Sequence, residues 1–274
     1  MNGKIGETQM FNGKTVWITG ASSGIGEAVA YEMAAEGAQL ILSARRESEL
    51  ARVKGRCVQN GAMANNILIL PLDVTDEAAM PALVKTAQKF TGKLDMLFNN
   101  AGISQRSLCV DTEMETYRKL FAVDVFGQMA LTKLVLPIML AQGSGHLAVT
   151  ASVAGKIGAP QRTGYCAAKH AVMGFFDALR SEVAQHGIFV TTITPGFIKT
   201  AISTNALKGD GSVFGKVDKN IAEGMEVGSC AKVIMKGFHA GKREIAVGKG
   251  AEMKALWVKR FFPNLLFRMV EKMG

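Results

Sequence analysis

Thr15-Val16-Trp17-Ile18-Thr19 runs without a break into Gly20-Ala21-Ser22-Ser23-Gly24-Ile25-Gly26, and a helical stretch then continues to Glu36, where Gly37 closes it. The first five residues read as a buried strand, which puts the glycines in a strand-to-helix turn. In that setting glycines let the backbone turn tightly and approach a pyrophosphate, whose charge meets the amides and positive dipole end of the following helix. The spacing is G-x-x-x-G-x-G rather than the commoner G-x-G-x-x-G, and taken alone the loop reads equally as a plain strand-to-helix turn.

Outward from this unit the chain repeats the pattern. Gln39-Leu40-Ile41-Leu42-Ser43 is a second strand, and Ser43-Ala44-Arg45-Arg46 follows with no carboxylate until Glu47. An acidic residue there would bind a ribose 2′-hydroxyl, whereas arginine accommodates a 2′-phosphate. Arg45, then Arg46, therefore point to NADP(H); the other reading is two solvated arginines at a helix entrance. Asn66-Ile67-Leu68-Ile69-Leu70 delivers Pro71-Leu72-Asp73-Val74, and Thr75-Asp76-Glu77 reads as a helix start. Leu94-Asp95-Met96-Leu97-Phe98 ends in Asn99-Asn100-Ala101-Gly102. Further strands at 146–150, 188–193 and 244–248 alternate with helical stretches at 112–142, 164–186 and 231–240. The fold predicted is α/β, a doubly wound parallel sheet in a single domain with a helical C-terminal extension.

Tyr165 and Lys169 stand four apart at the start of the 164–186 helix, on one face and one turn apart. A phenol, with an unperturbed pKa of about 10, is a poor proton shuttle at neutral pH. An ammonium a few ångströms away stabilises the phenolate, as a general acid/base requires. Ser152 follows the strand His146-Leu147-Ala148-Val149-Thr150, where its hydroxyl can bond a carbonyl or alcohol oxygen. Four-apart Tyr/Lys pairs also occur by chance on exposed helices.

Thr19 to Gly26, Asn99-Asn100-Ala101-Gly102, Ser152, Tyr165-x-x-x-Lys169 and Pro195-Gly196 occur together in the order and rough spacing of the short-chain dehydrogenase/reductases, which the chain resembles over residues 11–248. The resemblance implies a Rossmann-type oxidoreductase moving a hydride between NADP(H) and a carbonyl/alcohol substrate. It places Gly20, Ser22, Ser23, Gly24, Ile25, Gly26, Asp73, Val74, Asn100, Ala101, Gly102, Pro195, Gly196, Ile198 and Thr200 around the cofactor with Tyr165 and Lys169, the aspartate at the adenine and Ile198 and Thr200 at the nicotinamide carboxamide. Around residues 127–133 and 165–180 the chain looks most like the branch acting on bulky apolar ketones and alcohols such as steroids, retinoids or lipid-derived carbonyls. Pairing through the helices at 112–142 and 164–186 into a homodimer or homotetramer is implied as well.

In Val123-Asp124-Val125-Phe126-Gly127 most family members carry asparagine in place of Asp124. If the main chain carries that residue's role in the proton relay, aspartate is tolerated; if the side-chain amide does, the relay is altered. A carboxylate there can also pair with Lys169 and weaken its effect on Tyr165. This departure alone favours the alternative of a dinucleotide-binding regulatory protein with little turnover.

The 274 residues are 48% hydrophobic and 20% charged, as in an ordinary globular protein. Cys57, Cys109, Cys166 and Cys230 lie far apart and no signal peptide is seen, so a reducing, cytoplasmic setting is expected. Of the 12 residues 129–140, the most apolar stretch, Lys133 and Pro137 interrupt the run, and no membrane span is expected. The net charge of +9 is spread along the chain without the arginine/aromatic interleaving of a nucleic-acid groove, so nucleic acid is not expected as a partner. His146, His170, His186 and His239 lack ligand spacing, and no metal is expected. Residues 1–10 read as a flexible lead-in and 11–250 as the catalytic domain, with a surface loop or substrate lid at 197–226. The tail at 251–274 sets Trp257, Phe261, Phe262, Leu265, Leu266, Phe267 and Met269 among basic residues. It packs on its own domain or a partner subunit, or it lies on an anionic membrane surface.

Overall fold

The computed structural model describes residues 10–272; residues 1–9 of the lead-in and 273–274 lie outside them. The first unit forms as expected: β1 (Thr15–Thr19) and α1 (Gly24–Ala35) flank the glycine turn, followed by β2 (Gln39–Ser43) and α2 (Glu47–Gln59). β3 is only Ile67–Ile69. The next helix, α3 (Met80–Thr91), begins later than Thr75-Asp76-Glu77 suggests. Asp73 Oδ1 accepts from the Thr75 amide, and Asp76 Oδ1 from the Ala79 amide, so these aspartates stabilise turns instead of a first helical turn.

β4 (Met96–Asn99) precedes the long helical run, which is two helices: α4 (Met114–Phe121) and α5 (Gly127–Gln142), joined by one π-helical stretch at Ala122–Phe126. By length and composition alone Met114–Gln142 suffices to cross a membrane. Its Leu120, Val125, Leu131, Val135 and Met139 are nevertheless buried in the protein. β5 (Gly145–Thr150), α6 (Thr163–Val183) and β6 (Ile188–Pro195) complete the central units. A short α7 (Lys219–Ala222), then α8 (Val227–His239), β7 (Glu244–Val247), α9 (Ala251–Phe261) and α10 (Pro263–Glu271) finish the chain.

The seven strands form one sheet in the order β3-β2-β1-β4-β5-β6-β7, with every neighbouring pair parallel. Helices cover both faces, so central strands are buried on both sides and read as continuous apolar runs. On one face α1 and α8 pack Val29, Met33, Ile234 and Phe238 against Ile18 and Phe98. On the other α3, α5 and α6 pack Met80, Val135 and Phe176 against Trp17 and Leu97. The chain winds one way from β1 to β3 and the other way from β4 onward. The crevice at the carboxyl ends of β1 and β4 is the switch point where open α/β sheets bind ligands.

The segment before α8 and the C-terminal tail differ in how firmly they are held. The segment at 201–225 is tied down: the Leu207 amide donates to Ser104 O and Leu207 O accepts from the Arg106 amide, both at 2.8 Å. The tail forms two helices of which only Leu266 is buried, while Trp257, Phe261, Phe262, Leu265, Phe267 and Met269 face solvent. Of that stripe only Leu266 is packed away, and its other six members stand exposed.

Candidate active site

At the switch point the glycine loop closes against the turn after β4. Gly20 has φ +65°, and a Cβ there would lie 2.9 Å from Ala101 Cα; at Gly26 it would lie 2.5 Å from Asn100 Nδ2 and from Gly20 O. No side chain fits at either point, so the loop closes directly against the turn after β4 at the amino end of α1. Asn100 joins three strand ends. Its Nδ2 donates to Thr19 O (3.2 Å), its Oδ1 accepts from Thr150 Oγ1 (3.0 Å), and Thr19 Oγ1 accepts from the Asn100 and Ala101 amides. Arg52, which no motif singles out, donates to Ser22 O (3.2 Å) while it pairs with Glu27 (2.7 Å).

The remaining cofactor candidates fall around this crevice. Ser22 and Val74 are buried, Ser23 is exposed, and Gly24 and Ile25 are half-buried. Arg45 and Arg46 stand exposed beyond the carboxyl end of β2. Burial alone would raise the Asp73 carboxyl, but the Thr75 amide and hydroxyl and the nearby Arg45 guanidinium outweigh it and hold Asp73 below the usual carboxylate range.

Across the crevice a cavity of about 340 Å³ is lined by Ser152, Tyr165, Pro195, Gly196, Ile198 and Thr200, among others. Ser152 Oγ accepts from the Ala154 amide (3.1 Å) and lies 3.5 Å from Pro195 O. Lys169 Nζ donates to Thr150 O (3.1 Å) and lies 5.7 Å from the Tyr165 ring centroid, so helix α6 presents the pair on one face. Asp124 sits in the π-helical stretch, an insertion that often marks functional sites. Its Oδ1 accepts from the Ile103 amide (2.8 Å) and its Oδ2 lies 3.3 Å from Lys169 Nζ. Both side chains are buried. Burial dominates at Asp124 and holds its carboxyl above the usual range; at Lys169 burial pulls the other way, but Asp124 and Tyr165 outweigh it and hold the ammonium above its ordinary value.

Several residues in or behind the cavity wall carried no signal in the sequence. Gln105 Oε1 accepts from the Gly164 amide (2.8 Å) and so caps the amino end of α6. Arg106, Arg162 and Asp218 meet on one wall, and Glu252, from the first turn of α9, accepts from the Phe197 amide (3.3 Å) on another. Each comes from a loop or helix end far from its partner in sequence, where no periodicity operates. Among the described residues no cluster of His, Cys, Asp or Glu could hold a metal.

A family model described as short chain dehydrogenase matches residues 14–210. The chain belongs to the short-chain dehydrogenase/reductase family. It is 39% identical to human dehydrogenase/reductase SDR family member 7, over 94% of this chain and 77% of the relative. It is 40% identical to the Drosophila melanogaster SDR family protein 7-like, over 95% and 80%. A short-chain dehydrogenase/reductase from Burkholderia phymatum in complex with NAD superposes with a TM-score of 0.81 at 26% identity, covering 93% of this chain and 95% of that one. A gluconate 5-dehydrogenase-like protein from Beutenbergia cavernae, with bound NADP, gives 0.67 at 29% identity over 72% and 77%. The short-chain dehydrogenase/reductase fold thus extends over 93% of the chain, with the glycine loop, Asn100, Ser152, Tyr165 and Lys169 gathered at the carboxyl ends of its strands.

Proposed function

We propose that this short-chain dehydrogenase/reductase interconverts a bulky apolar ketone or alcohol, such as a steroid, retinoid or lipid-derived carbonyl, with NADP(H) as cofactor. The observation that carries the reading is the convergence of Ser152 and Tyr165 on one cavity with Lys169 beside the phenol. The glycine loop suits a pyrophosphate, because it lies between β1 and the amino end of α1, whose first amides and positive dipole end meet such a charge. Arg45 and Arg46 suit a 2′-phosphate and no carboxylate competes for the 2′-hydroxyl; relatives of known structure hold NAD in one case and NADP in another. Asp73 and Val74 would flank the adenine, and Ile198 and Thr200 the carboxamide.

When bound, a nicotinamide supplies or accepts the hydride at the substrate carbon. The chain does the rest. Ser152 Oγ donates a hydrogen bond to the substrate oxygen and fixes it beside Tyr165. In reduction Tyr165 Oη gives its proton to that oxygen as the alcohol forms, and in oxidation it takes the proton back. Lys169 stabilises the phenolate between these events and would help to hold the cofactor's ribose. Val153, Ala154, Ile157, Ile202 and Ile221 line the cavity and exclude water.

NADPH-dependent reduction of any carbonyl in a substrate screen, reduced at least about 100-fold by Tyr165→Phe, is the expected result. Cofactor binding without turnover would favour the second reading, a dinucleotide-binding regulator, which the Asp124–Lys169 pair supports. A homodimer or homotetramer through α4, α5 and α6 is part of the proposal, supported by the exposed Phe126 and Leu140. So is a cytoplasmic setting, supported by four free cysteines with no partner among them. Peripheral contact of the tail with anionic membrane completes it.

A further inference from the structure

Two guanidinium groups in the cavity wall share one carboxylate. Arg106 donates to Asp218 Oδ2 through Nε (3.1 Å) and Nη2 (2.8 Å), and through Nη1 to Gln105 O (3.0 Å). Asp218 is thereby held, with its other oxygen accepting from the Asn220 amide. Arg162 reaches the same Oδ2 only at 3.4 Å through one Nη2, its sole acceptor among the described residues. Its side chain is 15% exposed, and it lines the cavity. The nearest wall of the site therefore carries one cation more than it carries anions. The cavity's other carboxylate, Glu252, is engaged by the Phe197 and Gly250 amides beside Gly196.

Arg162 thus lines a mostly apolar cavity with four N–H donors that have no acceptor among the described residues, which is costly unless an anion completes it. The backbone agrees. Gln161, immediately before Arg162, has φ +60°, and it is the one non-glycine residue in the left-handed region among those described. The Ser107 amide on Gln161 O (3.1 Å) holds it there. A strained residue of this kind at a cavity wall points to a constraint on the side chain beside it. Arg162 also directly precedes α6, which carries Tyr165 three positions on, so its guanidinium belongs to the same wall as the phenol.

We propose that Arg162 is a subsite for a substrate carboxylate. This rests on the oxidoreductase reading above and narrows it: the substrate is an amphiphile whose carbonyl or hydroxyl lies at Ser152 and Tyr165. An apolar body runs along Val153, Ile157, Ile202 and Ile221, and an anionic end forms a forked pair with Arg162. Arg106 keeps Asp218 in place, so Asp218 does not collapse onto Arg162 and block it.

The test uses a medium-chain oxo-acid and its methyl ester, 9-oxodecanoate for example. Each is titrated by calorimetry into the full-length protein saturated with NADP⁺, and each is assayed for NADPH consumption. The acid should bind at least about 10-fold more tightly than the ester. Arg162→Gln should collapse that ratio towards one, and Arg162→Lys should restore part of it. Equal binding of acid and ester by the wild-type protein, or an undiminished ratio in Arg162→Gln, overturns the subsite. The wild-type ratio decides alone if Arg162→Gln does not fold. Tight acid binding with no NADPH consumption upholds the subsite and sinks the oxidoreductase reading; NADPH consumption indifferent to the carboxylate does the reverse.

Discussion

Asp124 Oδ2 lies 3.3 Å from Lys169 Nζ, and neither side chain reaches solvent appreciably. A carboxylate so placed offsets the positive field that Lys169 exerts on Tyr165. Asp124→Asn keeps an acceptor for the Ile103 amide but removes the charge. The acid limb of the kcat/KM profile for alcohol oxidation should then move to lower pH by about one unit. A profile superimposable on the wild type would show that Asp124 acts through its main chain alone.

Arg45 is exposed at the end of β2, yet close enough to Asp73 to help hold that carboxyl ionised. Placing a carboxylate there repels a 2′-phosphate and offers an acceptor to a 2′-hydroxyl. Arg45→Asp should weaken NADPH binding by about 10- to 100-fold and improve NADH relative to it. Nicotinamide fluorescence titration of both cofactors on both proteins checks this. An unchanged preference would leave Arg46 as the discriminating residue.

How legible this was depends on how local the determining physics is. The strand from Thr15 and the turn after it are fixed by neighbours in sequence, so β1, the glycine loop and α1 could be read directly. Tyr165 and Lys169 were legible for the same reason, one helical turn apart. Arg106, Arg162 and Asp218 were not, because each stands in a loop or at a helix end and they meet only through tertiary structure. Thr75-Asp76-Glu77 misled as a helix start, since an aspartate side chain bonds a nearby amide in a turn as readily as at a cap. The tail's amphipathic pattern was legible, but whether the chain itself covers that face was not.

His146, on β5, donates or accepts at Thr191 Oγ1 (2.9 Å) and packs edge-on against Phe189 and Phe238. Burial pushes its pKa down from 6.5 to about 4. The folded state therefore favours the neutral ring. The stabilisation is complete above pH 6.5, where the unfolded chain is neutral too, and falls away as pH drops through 6.5 towards 4, where the unfolded chain takes up a proton first. That loss amounts to about 3 kcal/mol. Urea unfolding at pH 7 and pH 4.5 should show a smaller decline for His146→Gln than for the wild type. Parallel declines would place the acid sensitivity elsewhere.

The tail helices present a surface that the domain leaves bare. Trp257 stacks on Phe261 at 5.9 Å, and Lys259 Nζ sits 4.1 Å from the Phe267 ring centroid, which ties α9 to α10. Around these exposed rings lie Lys254, Arg260, Arg268 and Lys272, while Glu252 is turned inward to the Phe197 amide. Aromatic rings between basic residues match an interface of acyl chains and anionic headgroups, with about 1 kcal/mol of attraction per basic group near such a surface. The protein should therefore sediment with phosphatidylserine-containing vesicles, less so at high salt and less with neutral lipid. Removing the whole tail would also remove Glu252 from the cavity, so substitution is the cleaner test. Trp257→Ser combined with Phe262→Ser and Phe267→Ser should leave the protein in the supernatant. If the wild type does not sediment, and the triple variant instead shifts to a smaller species on light scattering, the face is covered by a second copy of the chain.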